Sequence, residues 1–391
     1  MKKTISIALA LLALGVAHLF ADSATLLPAN VFRFRVVPAF NFANGAYDDD
    51  GKYHSYDEGE GASKAFSLGL SLEYGILDWL SLAAQWTPGW VAWSDVDVDF
   101  SALGSDSTVN ANGVSDLFAG IAVQIVGQNA PVKTELFRAT VAPGVIIPFP
   151  GPDALDEYEK LQKGEKVTAA NPGNHVFGMG ARAYFDFIPG VLDKHLVFNL
   201  YSEFLTYPQK GKVRKSGAAL LPGLAMARGA ELGAYYNSTL DGQAALGAAY
   251  FQATGKNPTD PTNAGDLTAW ASNYISNQAL KEAADTEVAF GYDLTLEFEA
   301  TLSDIPLDRN QKLLFTAGLP FNYTYTPGNK VGSADPEKEY LLSINPYVAL
   351  FLTNLPLPIQ FELGYHIPVF GVNSDARHVF VLQTKFFLKF W

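Results

Sequence analysis

Residues 66–76 read FSLGLSLEYGI, and along this stretch large apolar side chains alternate with small or polar ones. One face carries Phe66, Leu68, Leu70, Leu72, Tyr74 and Ile76, and the other carries Ser67, Gly69, Ser71, Glu73 and Gly75. Alternation with a period of two is typical of a β-strand that has one apolar face. The stretch therefore predicts a strand that lies between an apolar and a polar environment.

Residues 286–302 repeat the pattern. Their apolar face carries Val288, Phe290, Tyr292, Leu294, Leu296, Phe298 and Ala300, and their polar face carries Glu287, Asp293, Thr295, Glu297 and Glu299. The alternation in these stretches holds for about 11 to 15 residues. Strands of soluble proteins average about 5–6 residues, whereas a strand that crosses a membrane needs about 9–11. The length favours membrane strands.

Fourteen such segments can be counted, near 31–42, 64–76, 79–93, 113–126, 134–149, 174–188, 195–207, 228–240, 243–254, 286–303, 311–326, 339–353, 358–369 and 377–391. Short and long connections alternate between them, as in bacterial barrels, which have an even number of strands. The pair at 228–254 is rich in Ala and Gly, which leaves twelve or sixteen strands as alternatives. We expect residues 22–391 to form an all-β, transmembrane antiparallel β-barrel of about 14 strands.

The composition limits the possible chemistry. Charged residues make up 17% of the 391, against about 25% in average soluble proteins. The absence of cysteine excludes disulfides and thiolate metal sites, and the net charge of −13 argues against binding to nucleic acid. No histidine pair has the spacing of metal ligands. We therefore expect neither a cofactor nor a metal.

The two ends of the chain indicate export to the bacterial outer membrane. Residues 1–21 have the pattern of a signal peptide, with Lys2 and Lys3 before an apolar run and Ala21 as the last residue before cleavage. The chain ends KFFLKFW, and this aromatic terminal strand resembles the signature that the barrel-assembly machinery reads in bacterial outer-membrane proteins. We expect outer-membrane lipid and that machinery to be partners.

The polar faces of the strands predict a lumen with charges at a few levels. These are Arg33, Arg35, Glu73, Arg138, Arg182, Glu297, Glu299, Glu362, Lys385 and Lys389. Opposed acidic and basic clusters are typical of a porin constriction. The alternative is that these charges pair with each other and stiffen the wall.

Two long connections carry features of their own. Residues 264–284 predict a helix capped by Asp266, in which Trp270 and Tyr274 share one face, and this helix either covers the barrel mouth as a lid or packs outside it. Residues 217–227 form an apolar stretch after a basic run. Together they predict a capture surface for an amphipathic anion, made of Lys212, Arg214, Lys215, Leu220, Leu221, Leu224 and Met226. The alternative is that 217–227 extends the next strand.

The stretch NGVSDLFAGIAVQIV at 112–126, with its Gly113–Asp116 element, and RATVAPGVIIPFPG at 138–151 resemble one group of bacterial barrels. The group comprises the long-chain fatty-acid transporters and the channels associated with phenol and toluene degradation. The resemblance implies passive uptake of small hydrophobic molecules through a gated barrel. The fatty-acid transporters carry an N-terminal plug of a few dozen residues, whereas only about nine separate Ala21 from Val31 here.

Three functions follow from these observations. The leading hypothesis is an outer-membrane channel for small hydrophobic or amphipathic solutes, fatty-acid-like or aromatic. The alternatives are a general or weakly ion-selective porin and a surface adhesin or structural barrel. We expect no enzymatic activity, although His366 faces inward in the predicted strands.

Overall fold

A computed structural model describes residues 23–56, 63–100, 105–151, 153–163, 173–212, 217–331 and 337–389. The predicted signal peptide and the last two aromatic residues, Phe390 and Trp391, lie outside these ranges.

Twelve long strands form one closed antiparallel barrel. They are β1 (Val31–Tyr47), β2 (Ser63–Leu77), β3 (Leu80–Phe100), β4 (Leu117–Val126), β5 (Phe137–Ile147), β6 (Gly178–Phe187), β7 (Leu196–Thr206), β8 (Tyr292–Pro306), β9 (Leu313–Thr326), β10 (Glu339–Ile344 and Tyr347–Leu352), β11 (Ile359–Val372) and β12 (Ser374–Lys389). Each strand pairs with its neighbours in sequence, and β12 pairs with β1 from Val31 opposite Lys389 to Tyr47 opposite Ser374. A shorter strand, Ser105–Val114, pairs antiparallel with the second half of β3, from Trp90 to Phe100, and extends the sheet beyond the barrel.

The strand faces are as the alternation predicts. On β2, Ser67 and Ser71 are buried inside the barrel, while Leu72 is 43% exposed on the outside. On β8, Glu297 is buried, while Phe298 is 49% exposed. Large apolar side chains on the outer face of a closed sheet fit a hydrocarbon environment. The fold is therefore the predicted transmembrane β-barrel.

The prediction of strands at 228–240 and 243–254 was wrong, and with it the count of about fourteen. These residues form two helices, α2 (Gly217–Ser238) and α3 (Leu240–Thr254). Ala is the most frequent residue in both helices and is the best helix former, and few polar residues mark a second face. Thr239 caps the start of α3 through its side chain, and Gly255 ends it in the left-handed conformation that favours glycine.

With twelve strands instead of fourteen, long and short connections still alternate along the chain. The α-helices of the described residues all lie in the long connections: α1 (Ala154–Gln162) follows β5, and α2, α3 and α4 (Ala264–Ala284) separate β7 from β8. Helix α4 has the bounds that the sequence predicts, but the prediction of Asp266 as its cap was wrong. Asn263 occupies the cap position, and Asp266 lies in the first turn, where its negative charge favours the positive end of the helix dipole. No helix in the described ranges is long and apolar enough to cross a membrane.

The helices pack into a cap on the long-loop side of the barrel. Tyr158, Leu221 and Ala283 form a buried core between α1, α2 and α4. The cap also contains a small sheet of Lys210–Lys212, Glu287–Ala289 and Lys330–Val331. Val288 and Phe290 are buried there against Ala154 and Val176, so the prediction that they share the lipid-facing row of β8 was wrong. The strand of the small sheet ends at Ala289, and the barrel strand β8 begins only at Tyr292.

The absence of cysteine allows a direct test of this topology. A single cysteine at Ser238 or Gln252 should react with a membrane-impermeant maleimide on intact cells, because both positions lie in the external cap. A cysteine at Gln128 or Arg309, in the short connections, should react only after the outer membrane is permeabilised. A Ser238→Cys variant that is protected on intact cells would restore the fourteen-strand topology.

Adjacent residues of β8 test the two faces at one depth. Leu296→Arg places a charge in lipid and should destabilise the folded protein in bilayers, which lowers its free energy of unfolding by roughly 2–4 kcal/mol. Thr295→Arg should cost much less, because Thr295 lines an internal cavity beside the carboxylate of Glu203. Equal costs, measured by urea titration in the same lipid, would contradict the assignment of the faces.

Candidate functional site: the lumen and its outer cavity

A cavity of about 250 Å³ occupies the half of the lumen nearest the cap. Two apolar patches contribute to its wall. The first consists of Val37, Ala39 and Val379 on β1 and β12, and the second of Phe118, Ile146 and Leu205 on β4, β5 and β7. Since β7 lies six strands from β1 in a ring of twelve, the patches lie on opposite sides of the lumen.

Polar side chains complete the wall between these patches. They are mostly amides and hydroxyls, including Asn41, Ser67, Gln85, Thr295, Asn322, Thr324, Ser343 and Asn345. The cavity therefore offers apolar contact on two sides and hydrogen-bonding groups around the rest of its circumference.

Arg182 of β6 contributes to the wall of the cavity. Its guanidinium group donates to Glu203 on the adjacent β7 and to Gln85 on β3, and it lies 3.8 Å from the centre of the Phe118 ring. This contact network joins β6 to β3 across two intervening strands. Arg182, predicted from sequence as a lumen charge, therefore narrows the passage as well as charging it.

The inner face of β8 is acidic. Asp293 accepts hydrogen bonds from Tyr207 (3.0 Å) and Thr326 (2.8 Å) at the outer end. Further in, Asn322 donates to Glu297 (3.0 Å), and Tyr347 donates to Glu299 (2.6 Å). At the outer rim, burial and the Asp293 carboxylate raise the pKa of Tyr207, which keeps this hydroxyl protonated as the donor.

The basic side chains at the seam between β1 and β12 are paired. Arg33 and Arg35 both donate to Glu73 on β2, and Lys385 forms an ion pair with Glu362 on β11 (2.9 Å). These contacts agree with the alternative hypothesis from the sequence, in which the lumen charges pair with each other and stiffen the wall. Lys389 is exposed at the end of β12.

A segment that sequence reasoning missed enters the barrel from the short-turn side. We name residues 23–30 the N-terminal strap. The backbone N–H of Ala24 donates to Asp186 (2.9 Å), and its carbonyl accepts from Gln124 (2.7 Å) and Thr140 (2.6 Å). At its other end, Asn30 donates to the carbonyl of Gly75 (2.8 Å).

The strap thus runs from β2 to the inner wall of β4, β5 and β6. Ala24 is fully buried, and Arg138 donates to the hydroxyl of Thr25 and lies 3.6 Å from Asp186. The few residues before β1 therefore obstruct the short-turn end of the lumen, although they are far shorter than the plug of the fatty-acid transporters. The only sequence signal was an apolar stretch, ATLLP, without period two.

Asp116 anchors the connection between β5 and β6 over the cavity. Its carboxylate accepts from the backbone N–H groups of Phe149 (3.2 Å), Asn174 (2.8 Å) and His175 (3.0 Å). Asp116, Gly173 and Asn174 all line the cavity. Asp116, the last residue of the Gly113–Asp116 element, thus holds the two ends of the β5–β6 connection together beside the cavity.

The structure does not gather the predicted capture residues into one surface. Leu221 is fully buried in the cap and Leu224 packs beside it, whereas Met226 is 57% exposed. Lys212 forms an ion pair with Asp285. Arg214, Lys215 and the side chain of Leu220 lie outside the described part of the chain.

Trp270 and Tyr274 are half-buried and pack against the other helices of the cap. Their rings stack at 4.7 Å, and they contact Tyr250 and Tyr236 on the neighbouring helices. Neither residue lines the cavity. Helix α4 therefore packs on other helices, which is the second of the two arrangements considered for it. The described residues contain no group of side chains that could hold a metal ion.

The strap's contacts lead to a prediction for ion flow. Gln124→Leu with Thr140→Val removes both donors to the Ala24 carbonyl and should loosen the strap. Single-channel conductance in planar bilayers should then rise several-fold or show more frequent openings. Asn41→Ala, which changes a polar residue of the lumen away from the strap, is the control. An unchanged conductance in the double variant would show that the strap does not limit the flow.

Comparisons with known proteins agree with the fold. No protein-family model and no curated protein sequence matches the chain. An outer membrane channel from Pseudomonas putida F1 is similar in structure, with a TM-score of 0.52 and 13% identity over 95% of this chain and 100% of that one. Two further structures are found. One is a FadL homologue from Pseudomonas aeruginosa, with a TM-score of 0.33 and 11% identity over 91% of this chain and 90% of that one. The other is the TodX deltaS2S3 mutant monoaromatic hydrocarbon channel, with a TM-score of 0.35 and 8% identity over 93% of this chain and 91% of that one. The chain has the fold of a bacterial outer-membrane β-barrel.

Proposed function

We propose that the protein is a passive outer-membrane channel for small amphipathic or hydrophobic molecules, fatty-acid-like or aromatic. The observation that carries the proposal is the pair of apolar patches on opposite walls of one cavity. The inward faces of water-filled barrels are polar, so the presence of the apolar residues Val37, Val379 and Leu205 on the lumen wall requires an explanation. Contact with the apolar part of a solute supplies one.

The magnitude of such contact is sufficient for selection. Burying about 100 Å² of apolar surface contributes ~2.5 kcal/mol at ~25 cal/mol/Å². The surrounding amides and hydroxyls can hold the polar end of the same molecule, which favours an amphipathic solute. A cavity of about 250 Å³, with the strap at the other end of the lumen, suits a small solute.

The second candidate is a general or weakly ion-selective porin. It is supported by the polar majority of the cavity wall and by the ion pairs that line the seam of the barrel. Export by a signal peptide and docking of the C-terminal strand on the assembly machinery stay predictions.

Solute flux into proteoliposomes separates the two candidates. Val37→Thr with Val379→Thr keeps the shape of one apolar patch but makes it polar. The double variant should admit 2-phenylethanol several-fold more slowly than the unmodified protein, while flux of a small sugar such as arabinose stays the same. Val348→Thr, on the lipid face of β10, is the matched control and should change neither flux.

Other outcomes decide against the proposal. Free passage of arabinose with 2-phenylethanol flux insensitive to the Val-to-Thr pair would favour the porin. Absence of both fluxes and of any conductance, also after the strap contacts of Gln124 and Thr140 are removed, would favour a structural barrel.

A further inference from the structure

The ionisable groups that line the outer cavity are predominantly acidic. The carboxylates of Asp116, Glu203, Asp293, Glu339 and Asp375 face two guanidinium groups, those of Arg182 and Arg377. Among the described residues, five carboxylates against two guanidinium groups give the lining a formal net charge of −3 with histidine neutral. The cavity wall therefore carries an excess of negative charge.

Each guanidinium group already has a carboxylate of the same wall as its partner. Arg182 pairs with Glu203, and Arg377 lies 2.5 Å from Asp375. Asp116 is committed to three backbone N–H groups of the loop above it. Any rearrangement of these pairs leaves the formal net charge of the described lining at −3.

The same sign continues into the lumen along β8. Asp293, Glu297 and Glu299 all point inward from this strand. On the adjacent β7, Glu203 lies opposite Thr295 of β8 in the sheet register. Carboxylates thus follow one wall from the outer cavity towards the middle of the barrel. An excess of one sign of charge along a narrow, low-dielectric passage concentrates ions of the opposite sign.

A second, independent feature concerns hydrogen-bonding groups that face the cavity. Ser67 and Asn345 are each only 1% exposed and line the cavity from β2 and from the break in β10. Among the described residues, neither the Ser67 hydroxyl nor the side-chain carbonyl of Asn345 has a hydrogen-bond partner. Buried polar atoms are nearly always satisfied, so these two oxygens are open to a donor in the cavity.

We propose that the outer cavity selects a cationic head group, an ammonium attached to a small apolar body, and that the lumen passes cations in preference to anions. This inference rests on the proposed channel function and narrows its solutes. An ammonium group carries three donors and a positive charge, which match unpaired acceptors and a negative wall. A fatty-acid-like carboxylate meets the same wall with the wrong sign.

Reversal potentials in planar bilayers test the charge preference. Across a KCl gradient, the unmodified protein should show a several-fold higher permeability to K⁺ than to Cl⁻. Asp293→Asn with Glu297→Gln and Glu299→Gln should bring the permeability ratio close to one. A control triple, Glu135→Gln with Glu282→Gln and Glu287→Gln, removes three exposed carboxylates outside the lumen and should leave the ratio unchanged.

Flux of three molecules with one aromatic body tests the solute class. Phenethylamine should enter proteoliposomes fastest, 2-phenylethanol more slowly and phenylacetate slowest, and the lumen triple variant should reduce these differences. Conductance without K⁺ preference, or phenylacetate entering as fast as phenethylamine, would overturn this inference and leave the channel intact. Absence of conductance and of all three fluxes would instead overturn the channel function. The unmodified protein alone decides both points if the triple variant does not fold.

Discussion

The requirement that every backbone N–H and C=O group be hydrogen-bonded in lipid governs this molecule. A sheet can meet it only by closing on itself, since an open edge in hydrocarbon costs several kcal/mol for each unsatisfied group. The pairing of β12 with β1 over nearly their whole length provides that closure. Once the register of the seam is set, the alternation of side chains assigns each residue of the twelve strands to lipid or to the lumen.

Closure by twelve strands also determines what the lumen can hold. Eight strands leave space only for side chains, and sixteen to eighteen enclose an aqueous channel. With twelve, the inner rows come close enough for Arg182 to reach from β6 to Gln85 on β3, and for a strap of eight residues before β1 to contact the inner wall at one end. The remaining space is a cavity bounded by named side chains, so its chemistry is set by a few residues and not by a wide bore.

Period-two alternation carried most of the fold prediction because it follows directly from the geometry of a strand in lipid. It failed at 228–254, where Ala and Gly give neither face a distinct polarity and a helix satisfies the backbone equally well. The signals of that helix, Thr239 before it and Gly255 after it, were present in the sequence. Val288 and Phe290 kept the alternating pattern of β8 but left its sheet, which local pattern alone does not reveal.

The site was less predictable than the fold. The inward charges could be found from alternation, but their partners depend on which residues face each other across strands, as Arg33 and Glu73 do in the register of β1 and β2. The cavity arises from residues on non-adjacent strands, and the strap binds β4, β5 and β6 through backbone groups of Ala24. Neither arrangement leaves a periodic trace in the sequence.

The direct pairing of β7 with β8 expresses the twelve-strand closure in one measurable distance. Leu200 and Phe298 face each other there on the lipid side, although 97 positions of sequence, including three helices, separate them. Cysteines at these two positions of the otherwise cysteine-free chain should form a disulfide on mild oxidation in the folded, membrane-inserted protein. If two further strands lay between them, three spacings of about 4.8 Å would hold the positions roughly 14 Å apart, beyond the ~7 Å limit between the Cα atoms of a disulfide. Efficient cross-linking of Leu200→Cys to Phe298→Cys is the result that a twelve-stranded barrel requires, and its absence under conditions that cross-link Ala39→Cys to Val381→Cys at the seam would contradict it.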